Sequence, residues 1–190
     1  MIIIELLKYF AKMPEREGVL DVFANGRSTE DGYRELQRFV HLLSSPLVPG
    51  IQHFVFGQSL EAVKQRVNKV SGIYLFVDFG EFESSRDQRN SITDKQRLAV
   101  TVAKKMRNSA DIIEEVLASD RCLQLLNDVR ACMLADSQKH SWLKMMSDTH
   151  SIIPFESKDL NSIGWTLMFD AEASDWFDVK ARTSSFLNYR

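Results

Sequence analysis

Glycine is scarce in this chain and never clusters. Eight glycines are spread over 190 residues, with no G-x-G-x-x-G or Walker-type loop. A nucleotide phosphate therefore has no backbone cradle of the usual kind, and no cofactor is expected. A G-x-S-x-G nucleophile elbow is missing too. His41, His53, His140 and His150 show no i,i+4 pair and no His-Glu-x-x-His element, so no metal ligation is expected. His53 lies in an apolar stretch and reads as a satisfied core or edge residue.

Cysteine is limited to Cys122 and Cys132. Ten residues of helix separate two positions by roughly 15 Å, too far for a disulfide. Both therefore read as free thiols, in keeping with a reducing compartment. No apolar run approaches the ~20 residues of a membrane span. The apolar start, Met1 to Phe10, has no basic region before it and is interrupted by Glu5. That pattern argues against a signal peptide and for a short element docked on the core. No charge of one sign dominates: 24 Lys and Arg face 26 Asp and Glu, for a net charge of −2. Bulk attraction to a phosphate backbone is absent, so no direct nucleic-acid contact is expected. The sum of these absences is a soluble, cytoplasmic protein with no recognisable catalytic motif.

What is present is a core. With 44% hydrophobic residues, a chain of this length buries roughly 70% of the surface it exposes when unfolded. The reading divides it into an N-terminal segment 1–27, a single domain 28–172 and a C-terminal tail 173–190. A helix is predicted from about Thr29 to Ser44, with Ser28 and Asp31 as a loose capping box. A strand follows at Ile51–Gly57, then a helix capped by Ser59 and carrying Leu60, Val63, Val67 and Val70 on one face. The strongest strand is Ile73–Phe82, apolar on both faces in its first half like a central strand. Leu98, Val100 and Val102 alternate in a second strand, 95–103. Residues 109–147 read as helices, with Ile112, Ile113, Val116 and Leu117 on one face and Asp120 capping a second helix. Ile152–Phe155 and Gly164–Asp170 return to strand character, with Trp165 and Phe169 in the core. The tail from Asp175 is expected to be partly disordered.

Strand, long polar segment, strand reads as an antiparallel hairpin with an extended tip. The predicted class is therefore α+β: a mixed or antiparallel sheet, a long-tipped β-hairpin, and helices packed mainly on one face. The tip, Glu83 to Lys95, carries mixed charge, which suits contact with a protein rather than a nucleic acid. Arg86, Asp87, Arg89, Asp94 and Lys95 are the candidate contact residues there. Trp176 and Phe177 are candidate anchors in the tail. Asp78, Glu81 and Glu83 are the carboxylates that a metal-dependent nuclease would use. Strict alternation sets Asp78 on the face opposite Glu81 and Glu83, against that chemistry.

The order of elements resembles the tail-terminator and tail-completion proteins of tailed bacteriophages and prophages. The residues that carry the resemblance are Gly72–Phe79, Leu98–Ala103, Ile152–Phe155 and Gly164–Phe169, within a span of about 28–170. This is a likeness of order and texture. It implies a non-enzymatic, virion-associated assembly protein that forms a ring on a tail tube and meets tail-tube subunits. The alternatives are the nuclease and an intracellular protein-binding adaptor.

Overall fold

The computed structural model describes residues 2–23, 28–58, 60–86, 88, 91–107, 110–144, 146 and 149–174. The elements run α1 (Ile2–Phe10), α2 (Arg16–Leu20), α3 (Tyr33–His41), β1 (His53–Gly57), α4 (Leu60–Val67), β2 (Ile73–Asp78), β3 (Phe82–Arg86), β4 (Ile92–Lys105), α5 (Ile112–Ala135), α6 (Ser141–Lys144), β5 (Ser151–Ser157) and β6 (Ser162–Ser174). The fold is α+β. One six-stranded mixed sheet has the order β1-β2-β4-β6-β5, with β3 also paired to β4. β1 and β2 are parallel and joined through α4, while every other pairing is antiparallel.

β4 organises the sheet. Its β-branched and small residues make a strand of 14 residues, long enough to serve two partners on one side. Ile73–Asp78 pair with its second half, from Lys104 back to Ala99. Phe82–Arg86 pair with its first half, from Gln96 back to Ile92. Its other side pairs with β6 from Thr93↔Ser174 to Lys105↔Ser162. The antiparallel pairing of the two predicted strands is thus present.

Between β2 and β3, residues 79–81 face only 97 and 98, which is a β-bulge. Gly80 supplies its φ of 52°, and a Cβ there would meet Arg97 O at 2.3 Å. Asp78 Oδ1 accepts from the Gly80 amide at 2.9 Å, and Gln96 Nε2 donates to Phe79 O at 3.1 Å.

The polar segment after Phe82 is therefore not the expected loop. β3 continues the ladder up to Arg86↔Ile92. Backbone hydrogen bonds with β4 hold it in place, and those bonds need no apolar periodicity. The bulge also overturns the alternation argument. Asp78 pairs with Ala99 and Glu83 with Lys95, two positions on the same face of β4.

Helices cover mainly one face. Leu6, Tyr9 and Phe10 of α1 and Cys122, Leu125, Leu126, Val129 and Met133 of α5 pack with Leu75, Val77, Leu98, Val100, Val102, Leu167 and Phe169. Trp142 closes this core, with its ring 5.2 Å from Tyr9 and 5.8 Å from Phe10. On the other face Val63 and Val67 of α4 pack with Val55, Tyr74, Phe76, Ala103 and Leu160.

Two helix boundaries differ from the sequence reading. Ser28 Oγ accepts from the Glu30 amide at 3.1 Å in a local turn, and the helix starts only after Gly32, whose φ is 82°. α5 is one helix of 24 residues, and Asp120 does not cap a second one. Its carboxylate instead accepts from Gln124 Nε2 at 2.7 Å, one turn on.

Candidate protein-binding surface

The hairpin tip offers less free surface than its sequence implies. Asp94 is fully buried in β4, because its place in the ladder turns it to the core face, as for Gln96 and Leu98. Lys95 Nζ pairs with Asp170 Oδ2 at 2.9 Å, so its charge is matched inside the chain. Arg97 reaches the same carboxylate at 3.6 Å and Glu81 at 3.9 Å. Of the candidates at the tip, Arg86 is exposed at the end of β3. Asp87 and Arg89 lie outside the described residues, as do Ser59, Trp176, Phe177 and the tail from Asp175. The nuclease carboxylates do not converge: Asp78 is engaged by the Gly80 amide, and Glu81 faces Arg97. No group of three or more potential metal ligands occurs among the described residues. None of their helices is long and apolar enough to cross a membrane.

The unexpected surface is at the start of α5. Asp111 caps the helix, its Oδ1 accepting from the amides of Ile113 and Glu114 at 2.9 Å each. At about 100° per residue, the buried Ala118, Cys122, Leu125, Leu126, Val129 and Met133 share one side. Ile113, Val116 and Leu117 fall on the opposite side, with Ile112 at its margin. Ile112, Ile113, Val116 and Leu117 are 67%, 63%, 56% and 66% exposed. Trp165 Nε1 donates to Ser119 Oγ at 3.0 Å, tying α5 to β6. The first two turns of α5 carry this apolar ridge facing solvent.

A cleft of about 500 Å³ lies beside the start of α5. Among the described residues, Ile73, Met106, Leu117 and Ala118 supply its apolar lining, Lys104, Lys105, Arg107 and Arg121 its cations, and Glu114 its one carboxylate. Lys105 Nζ donates to the carbonyl of Asn68 at 3.0 Å. Among the described residues, none of the four cations is in an ion pair within 4 Å. Cys122 lies behind the cleft, where burial pushes its thiol up to about 11 while Lys104 and Arg121 pull weakly the other way.

The second cleft, about 470 Å³, lies at the β1 edge between Gly18, Tyr33, His53, Arg66 and Lys69. His53 Nε2 donates to Ser71 O at 2.8 Å, which ties that ring to the backbone. A signal for the α5 ridge was present in the sequence. The apolar phase slips between Leu117 and Ala118, whereas the sequence reading takes Asp120 as the cap of a second helix.

Comparison with known proteins finds no family model, no curated protein and no solved structure that matches the chain.

Proposed function

We propose that this chain is a non-enzymatic assembly protein, working through contacts with copies of itself and with other protein subunits. The observation that carries the reading is the ridge of Ile112, Ile113, Val116 and Leu117, apolar and turned away from the core. Contiguous exposed apolar side chains on a folded domain mark contact surfaces, because leaving them in water forgoes a favourable burial. The adjoining cleft adds cations without carboxylate partners among the described residues, which suits an acidic protein surface.

The resemblance to phage tail-terminator and tail-completion proteins supplies the specific form: a ring that caps a tail tube. The long antiparallel hairpin, bulged at Gly80 and ending at Arg86, is in keeping with that layout. Sedimentation velocity on the purified chain, alone and with candidate tail-tube subunits, tests the reading. A ring-sized species or a stable complex is the expected result. A chain that stays monomeric and ignores every subunit would remove it. A protein-binding adaptor would instead join one partner without self-association.

A further inference from the structure

We propose that the cleft beside the start of α5 receives the segment Asp175-Trp176-Phe177-Asp178 of a second copy of the chain, so that copies join head to tail. The inference rests on the assembly reading and names its contact.

Chemistry is the first argument. The cleft combines apolar Ile73, Met106, Leu117 and Ala118 with four cations and one carboxylate. The segment after β6 has the complementary composition, with two adjacent aromatics between Asp175 and Asp178, and Glu172 just before them. Large aromatic side chains are the usual anchors of a contact, and flanking carboxylates meeting unpaired cations fix its register. A nucleic-acid backbone would also satisfy the cations, but it would leave the apolar lining of Ile73, Met106, Leu117 and Ala118 unmatched.

Geometry is the second argument, and it selects a second copy. Ser174 pairs with Thr93, at one end of β4, while Lys104 and Lys105 lie at the other end, opposite Ile163 and Ser162. Twelve steps of a strand span about 40 Å. Four residues beyond Ser174 reach at most about 14 Å. The segment therefore cannot enter the cleft of its own chain. Donor and acceptor lie at opposite ends of the molecule, so the contact is heterologous and repeats, closing into a ring where the rotation allows.

The test uses the full chain in three forms: wild type, Leu117→Asp in the cleft, and Trp176→Ala/Phe177→Ala in the tail. Leu117 is 66% exposed, so its replacement leaves the thermal midpoint unchanged. In sedimentation velocity, each variant alone should self-associate roughly 30-fold more weakly than wild type, the effect of losing an interface anchor. Mixed, the two should form a one-to-one heterodimer and nothing larger, because one good cleft then meets one good tail. Wild-type association that neither variant weakens overturns the contact and leaves the assembly reading standing. So does a chain that is monomeric alone yet joins tail-tube subunits. A monomer that binds no subunit overturns both. A short duplex oligonucleotide bound by wild type and lost in Arg107→Glu, with self-association unchanged, assigns the cations to nucleic acid and overturns the contact.

Discussion

Gly18 sets how closely α2 lies on β1. A Cβ at that position would be 2.0 Å from Gln52 O and 2.7 Å from His53 Cα. Both atoms are backbone, so the helix itself would have to move. Gly18→Ala should cost roughly 1–3 kcal/mol, seen as a lower urea midpoint with an unchanged slope. Cys122 makes a different kind of prediction. Burial raises its thiol from the ordinary 9.0 to about 11. Tyr74 is raised by burial in the same way, to about 12. The folded state thus holds these protons more tightly than the unfolded state does. The resulting stability is complete below about pH 9 and is lost as pH climbs through 11 and 12. Urea unfolding at pH 8 and pH 10.5 should show a lower midpoint at the higher pH. Cys122→Ala should start less stable and fall less steeply between the two.

Secondary-structure elements show where residue patterns speak and where they are silent. β2 and the second half of β4 were legible because Ile73–Val77 and Leu98–Ala103 are rich in β formers and sit mid-sheet. β3 was not, because Glu83-Ser84-Ser85-Arg86 has no apolar side chain to mark it, and the ladder bonds that pair it with β4 leave no periodicity in the sequence. α5 was legible as helix but not as one helix. Two apolar stripes on opposite sides, meeting between Leu117 and Ala118, look like two amphipathic helices with a break. Only the tertiary structure shows that the first stripe is exposed. Its presentation depends on the cap at Asp111, which holds two amides at the helix start. Asp111→Ala should cost about 1 kcal/mol locally. Hydrogen exchange should accelerate at residues 113–116, while the thermal midpoint of the whole chain barely moves. β5 is an open edge strand that carries Pro154 opposite Trp165. A residue without an amide proton blunts such an edge against pairing with a stranger. Pro154→Thr should therefore scatter more light on heating, at an unchanged fluorescence midpoint.

At the scale of the molecule, α1, α5, α6 and the sheet share one core. Trp142 from α6 meets Tyr9 and Phe10 from α1, and α5 lies across β4 and β6. A shared core has no internal seam at which to come apart. Urea unfolding followed by far-UV circular dichroism and by tryptophan fluorescence should give coincident single transitions. Separate midpoints would mean that the N-terminal helices form their own unit. The same scale sets the polarity of the sheet, with Ser174 opposite Thr93 at one end of β4, and Lys104 and Lys105, which line the cleft, at the other.

The sequence by itself determined the class, the strands and helices that carry apolar periodicity, and the pairing of the central hairpin. Local periodicity and β-former content encode those features directly. Only the tertiary structure decided which apolar residues are core and which face solvent. Ile112 and Leu125 are equally apolar, but Leu125 packs into the core with sheet residues and Ile112 is left exposed. Burial depends on what stands opposite a side chain, and in this fold that is supplied by strands distant in the chain.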